Sequence, residues 1–256
     1  ALAAVKLHLP VAHVEAGLRS YDMNMPEEIN RVLVDRISTL LFCPTETAVA
    51  NLKAEGITRG VHLAGDVMYD VTLHYSNLAR SRSDILSRLG LAERGFALAT
   101  CHRAGNTDDP QRLANIVTAL ARIAARFPVV LPLHPRTRKQ LEKFDLLKSL
   151  GAILVTEPLS FLDMVALEQA ARVILTDSGG VQKEAFFHRV PCVTMRDETE
   201  WVETVQSGAN TLAGASEAAI MAAFQQAMGA APIRPAANPY GKGDAAEKIV
   251  TTILHR

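Results

Sequence analysis

Val173-Ile174-Leu175 is an apolar run that feeds straight into Thr176-Asp177-Ser178-Gly179-Gly180, and a helix-forming segment follows to about Phe187. A short strand, a tight glycine turn and a helix start in that order fix the local chain path. The first N–H groups of such a helix point outward, and its dipole favours an anion there. Two adjacent glycines let a phosphate approach the backbone closely. Glu184 lies inside the new helix, where a carboxylate can accept hydrogen bonds from a ribose. A strand-to-helix turn that uses glycine for geometry alone fits the same residues.

The order recurs along the chain. Residues 11–14, 41–43 and 61–64 read as short strands, and so do 96–101, 129–133, a stretch near Ile153, and 192–195. Each runs into a polar loop, and ligands of open α/β sheets collect at such strand ends. Pro26-Glu27-Glu28 starts a helix, with proline at the first position and acids in the first turn. Ile29, Val32, Leu33, Ile37 and Leu40 then repeat at helical spacing and predict its buried face. A helical stretch over 67–89 is expected to break near 81–83. Asp109-Pro110 is a cap-plus-proline helix start. The alanine-rich region 213–237 reads as a surface helix and loop, and the final helix carries Ala245, Ile249, Val250 and Ile253 on one side.

Strands alternating with helices predict parallel sheets covered on both faces, the α/β class. Two runs of the pattern, separated near 83–95, predict two domains with a cleft between. The expected division is 1–83 for the first domain, 84–237 for the second, and a C-terminal helix, 238–256, packing back on the first.

Across 256 residues the net charge is zero, which argues against a general binder of nucleic acid or membrane surfaces. Cys43, Cys101 and Cys192 are far apart, so zinc and a disulfide framework are not expected and a cytoplasmic location fits. No apolar run approaches the ~20 residues a membrane span needs. The dinucleotide, Walker, zinc-protease and serine-hydrolase fingerprints are all absent.

Glu15 follows a strand directly, and Glu27 sits in a first helical turn. Paired carboxylates act as acid and base when their surroundings split their pKa values. Glu27 also fits a plain helix-start acid pairing with Arg31. His102-Arg103 ends a strand, where the histidine can shuttle a proton or bind phosphate and the arginine can neutralise a diphosphate. A satisfied loop histidine is the competing reading. His134-Pro135-Arg136-Thr137-Arg138 fits a solvated loop, and His188 a structural role.

The ordered set His13-Val14-Glu15-Ala16-Gly17-Leu18-Arg19, Pro26-Glu27-Glu28-Ile29-Asn30-Arg31, Cys43-Pro44-Thr45-Glu46 and Gly65-Asp66-Val67-Met68-Tyr69-Asp70 is specific. It continues with His102-Arg103-Ala104-Gly105-Asn106, Leu175-Thr176-Asp177-Ser178-Gly179-Gly180, Arg196-Asp197-Glu198-Thr199-Glu200 and Asn238-Pro239-Tyr240-Gly241. The chain resembles the non-hydrolysing bacterial UDP-N-acetylglucosamine 2-epimerases nearly end to end. The resemblance implies two Rossmann-like domains with an interdomain cleft, as in glycosyltransferase-B folds, and inversion of carbon 2 by elimination and re-addition of UDP. It implies no metal or redox cofactor, a UDP-sugar as partner, and often a homodimer. By position, Glu15 and Glu27 match the active-site acids and His102 the active-site histidine. Ser178, Gly179 and Gly180 match the diphosphate loop, Glu184 the ribose acid, and Leu159 and Met164 the uracil site.

Three departures stand out. The family's chain begins earlier, and that part supplies the first strands of the first domain, a basic loop and an aspartate of the catalytic set. Gly105 stands where many relatives have glutamate. Glu200-Trp201-Val202-Glu203 replaces Glu-Arg-Pro-Glu, a variant resembling the branch that acts on sugars such as UDP-2,3-diacetamido-glucuronic acid. A UDP-sugar glycosyltransferase of the same fold, or a UDP-binding remnant without activity, are the alternatives.

Overall fold

The computed structural model describes residues 1–230 and 238–255. In chain order the elements are α1 (Leu2–Lys6), β1 (Ala12–Val14), α2 (Pro26–Ile37), β2 (Leu40–Cys43), α3 (Glu46–Ala54), β3 (Val61–Leu63), α4 (Val67–Arg82) and α5 (Ile85–Arg88). Then follow β4 (Ala97–Thr100), α6 (Ala104–Thr107), α7 (Pro110–Ala124), β5 (Val129–Pro132), α8 (Pro135–Lys143), β6 (Leu154–Thr156), α9 (Phe161–Ala170), β7 (Val173–Thr176) and α10 (Gly179–Phe187). Last come β8 (Cys192–Thr194), α11 (Val202–Gln206), β9 (Asn210–Leu212), α12 (Glu217–Gly229) and α13 (Ala245–Leu254). The chain divides into two compact units between Leu73 and His74, inside α4, and the C-terminal segment belongs to the first unit.

The first unit carries a parallel sheet of order β1-β2-β3, in which Leu41 sits opposite His13 on one side and Val61 on the other. Leu40, Phe42 and Ala64 pack with Ile249 of α13. Asp70 of α4 accepts hydrogen bonds from Ala245 N and Ala246 N, two of the N–H groups that open α13. Asp66 N donates to Tyr240 O, and Tyr240 is fully buried. Two of the motifs, 65–70 and 238–241, therefore dock the C-terminal segment.

The second unit carries a six-stranded parallel sheet of order β6-β5-β4-β7-β8-β9. Alternate residues face opposite sides of a strand. Ala97, Ala99, Val129, Leu131, Val173 and Leu175 accordingly pack with Ile116 and Leu120 of α7 and Ile220 and Phe224 of α12. Leu98, Val130 and Ile174 pack with Leu167 of α9 and Ala185 of α10. Burial on both faces is why these strands read as unbroken apolar runs. Strand order reverses between β4 and β7, which makes the carboxyl ends of those two strands the topological switch point.

Four sequence expectations need correction. The apolar stripe of α2 is not its buried face: Ile29 is 41% exposed and Leu33 48%, while Glu28 and Asp35 are buried. The polar side turns inward because loop N–H groups need acceptors there. Helix α12 is a core helix, since Ile220, Ala223, Phe224 and Ala227 are buried against the sheet; the rest of that expected helix and loop, 231–237, lies outside the described residues. On α13, Ala245 and Ile249 are buried but Val250 and Ile253 are exposed. Strand β9 has no counterpart in the sequence reading. The break expected in the long helix near 81–83 is present, between α4 and α5. Among the described residues, no helix is long and apolar enough to cross a membrane.

Candidate active site

At the switch point the chain leaves β7 through Asp177 and enters α10 at Gly179. Asp177 is fully buried, and its two carboxylate oxygens accept from His102 N at 3.0 and 3.1 Å, Arg103 N at 3.0 Å and Asn106 Nδ2 at 3.2 Å. The loop after β4 is thereby tied to the loop after β7. The hydroxyls of Thr100 and Thr176 add a 2.6 Å bond just beneath. Ser178 is the N-cap of α10: its Oγ accepts from Val181 N, and its own N–H is taken by Thr176 Oγ1. That leaves Gly179 N and Gly180 N as the outward donors of the helix start, the arrangement that binds anions. A Cβ at Gly179 would lie 2.7 Å from Glu200 Oε1 and 3.0 Å from Trp201 Nε1, so the turn has no room for a side chain.

His102 stands beside this turn with its ring partly exposed. Its Nδ1 is 3.8 Å from Asp177 Oδ1, and its ring centroid is 5.6 Å from that of His134. Burial lowers the His102 pKa against the pull of Asp177, with His134 and Arg103 also lowering it, so the neutral ring is favoured at pH 7. His134 accepts from Arg136 N through Nδ1 as the N-cap of α8, which leaves the proton on Nε2. Arg103 lies 3.6 Å from Glu200, which Arg196 also holds at 3.0 Å. Lys183 Nζ sits 4.0 Å over the ring of Trp201, at cation–π distance. Leu159 and Met164 flank the start of α9 and pack against the core on the α9–α10 face of the sheet.

Glu184 is half-buried on α10, and burial raises its pKa while Lys183 opposes the rise. Glu168, fully buried on α9, is pushed well above its ordinary 4.5 by burial and by the charge of Glu184. His188 lies with Nε2 at 4.0 Å from Glu168 Oε2 and is pushed down to about 4 by burial and by Arg80 and Arg94. The two groups pull stability in opposite directions. A raised Glu168 keeps its proton while the unfolded chain releases one above about pH 4.5, so its contribution falls as pH rises. A depressed His188 stays neutral while the unfolded chain takes a proton below 6.5, so its contribution falls as pH drops from there to about 4. Glu168→Gln is therefore expected to stabilise the chain more at pH 8 than at pH 5 in urea titrations; equal changes at both would refute the assignment.

In the first unit Glu15 follows β1 directly and has φ +66°, a left-handed backbone that non-glycine residues rarely adopt. Glu27 is exposed in the first turn of α2. Its neighbour Glu28 is buried and accepts from Ser20 N, Ser20 Oγ and Tyr21 N at 2.9–3.1 Å. Arg31, expected to serve Glu27, donates to Glu28 at 2.9 Å. Each unit thus gathers part of the expected set: Glu15 and Glu27 in one, and His102, Arg103, Ser178, Gly179, Gly180, Glu184, Leu159 and Met164 in the other. Sequence reasoning named no role for Asp35, Asp177, Lys183 or Glu168.

The model of the UDP-N-acetylglucosamine 2-epimerase family matches residues 1–254. The chain belongs to this family. A UDP-2,3-diacetamido-2,3-dideoxy-D-glucuronate 2-epimerase of Pseudomonas aeruginosa is 51% identical over 254 residues, 97% of this chain and 69% of that protein. The crystal structure of the Methanocaldococcus jannaschii UDP-GlcNAc 2-epimerase, in complex with UDP-GlcNAc and UDP, superposes with a TM-score of 0.93 at 42% identity, covering 100% of this chain and 72% of that one. The Neisseria meningitidis enzyme bound to UDP-GlcNAc gives 0.87 at 32% identity, with the same shares covered. These relatives favour an epimerase over the glycosyltransferase alternative. Within the family the departures at Gly105 and Trp201 now have surroundings. A Cβ at Gly105 meets nothing within 4 Å, so a larger side chain there would enter open space. Trp201 is buried beneath Lys183 and against Gly179, so this epimerase has an indole under the glycine turn.

Proposed function

We propose that this epimerase inverts carbon 2 of UDP-N-acetylglucosamine or a close UDP-2-acetamido sugar, in the cytoplasm, as a step toward surface polysaccharide precursors. The observation that carries the reading is the uncommitted N–H pair of Gly179 and Gly180 at the switch point, with Arg103 and a neutral-leaning His102 tied alongside by Asp177. In this reading the second domain, 84–237, holds UDP. Gly179 N, Gly180 N and Arg103 receive the diphosphate, Ser178 shapes the turn, Glu184 accepts from the ribose, and Leu159 and Met164 wall the uracil. Glu15 and Glu27 handle the carbon 2 proton on its two faces, and His102 serves the departing diphosphate. UDP leaves with the C1–O bond electrons as the C2 proton is taken, giving a glycal. Protonation at the opposite face of C2 and return of UDP to C1 complete the inversion. Preorganised donors around a leaving anion are the main source of rate in such a step.

The test is incubation of a UDP-2-acetamido sugar in heavy water. Deuterium at carbon 2 together with the inverted centre is the expected result. Sugar transfer to an acceptor without exchange, or UDP binding with neither outcome, would overturn the proposal. The 51% identity to the diacetamido-glucuronate enzyme makes that sugar the first to compare with UDP-N-acetylglucosamine.

A further inference from the structure

Asp35 lies near the end of α2, and its side chain has no exposure to solvent. Three groups of β1 and the loop that follows it donate to it. His13 Nδ1 approaches Oδ1 at 2.6 Å, while Gly17 N at 3.1 Å and an Arg19 guanidinium N–H at 2.7 Å reach Oδ2. The rest of the Arg19 fork is spent on both oxygens of Glu55, at 2.6 and 2.9 Å, and on Leu18 O. Gly17 has φ +80°, and a Cβ there would lie 2.3 Å from Ala48 O, so the loop backbone is pressed against α3. Asn51 Nδ2 donates to Gly17 O at 2.9 Å on that side. Glu15 lies between the clamped residues, in its left-handed conformation. A non-glycine residue keeps such a conformation only where its surroundings over-determine it, and here one buried carboxylate holds the chain on both sides of it.

We propose that Asp35 is a positioning residue for Glu15: by gripping His13, Gly17 and Arg19 it fixes the backbone from which the Glu15 carboxylate projects, and it acts on proton transfer at carbon 2 only through Glu15. The proposal rests on the reading of Glu15 as an acid–base group. Misplacement of a reacting group by about 1 Å costs on the order of 10²-fold in rate, which sets the scale expected when the grip is loosened.

The test is a double-mutant cycle of Asp35→Asn and Glu15→Gln, reading kcat and KM for deuterium incorporation at carbon 2 and the Kd for UDP. Asp35→Asn alone is expected to lower kcat by about 10–10²-fold, leaving KM and the UDP Kd within about twofold. In the Glu15→Gln background it is expected to cost nothing further, because residues acting as one unit are non-additive. The same loss in both backgrounds would mean a general structural role and overturn the proposal, as would an unchanged kcat. Full exchange by Glu15→Gln alone would instead overturn the role of Glu15, and this proposal with it. Should Asp35→Asn not fold, His13→Phe removes one of the three donors and runs through the same cycle. A loss of about fivefold confined to the Glu15 background is then expected, and an additive loss or none refutes the grip.

Discussion

Glu15→Gln is expected to slow carbon 2 exchange by about 10²–10⁴-fold, the range over which a positioned acid or base acts, while UDP affinity stays within about twofold. Glutamine matches glutamate in shape and can sit in the same left-handed backbone, so the grip of Asp35 on His13, Gly17 and Arg19 stays intact. What is lost is the ability to accept a proton. The unit that carries the glycine turn contains neither Glu15 nor Asp35, which is why nucleotide affinity should not follow kcat down. Single-turnover exchange in heavy water and a UDP titration of the same protein check both halves. A variant that exchanges at the parent rate would remove Glu15 from the chemistry. A variant that loses exchange and UDP affinity together would mean that the substitution had disturbed the fold.

The parts of this structure legible in the sequence are those that local chemistry writes plainly. Strands buried on both faces, such as Val173–Thr176, appear as continuous apolar runs, and the glycines and prolines at 179, 180, 110 and 26 punctuate the helices. The second sheet places both the Ser178 turn and the His102 loop at its switch point, where ligands of open sheets gather. Strand β9 escaped notice because it is an edge strand opened by a polar residue. Asn210 is buried by bonding Gln182, Thr194 and Thr204, of which Gln182 and Thr194 are remote in sequence. The face of α2 is hidden from its sequence for a related reason. Helical periodicity says which residues share a side, not which side faces the protein, and Glu28 and Asp35 turn the helix because the loop at 17–21 presents N–H groups that only an acceptor can satisfy. The acids that organise the two loops carry no local signature. Asp177 reads as part of a glycine turn, and Asp35 takes its donors from 16–22 residues away, so neither role shows until the chain brings the donors to them.

Asp177→Asn is expected to destabilise the second unit by about 3 kcal/mol and to weaken UDP binding by roughly tenfold. The carboxylate is fully buried and takes two backbone N–H groups and one side-chain amide. Hydrogen bonds to a charged group are worth about 1.5–3 kcal/mol each, and a buried donor left without an acceptor costs about 1–3 kcal/mol. Asparagine keeps one oxygen and turns an NH₂ toward donors, so at least one of the hydrogen bonds from His102 N, Arg103 N and Asn106 Nδ2 must be lost, although Asn106 Nδ2 keeps Met195 O. For a unit of this size that loss corresponds to a fall in Tm of about 6–12 °C, readable by calorimetry without nucleotide. The affinity loss follows from geometry: Asp177 is the covalent neighbour of Ser178 and the tether of Arg103, so relaxing it moves the anion donors and the cation apart. Adding UDP to the variant is expected to recover less Tm than it adds to the parent, since binding stabilises in proportion to its affinity. A variant with the parent's Tm and the parent's response to UDP would show that the two loops at the switch point hold their positions without Asp177.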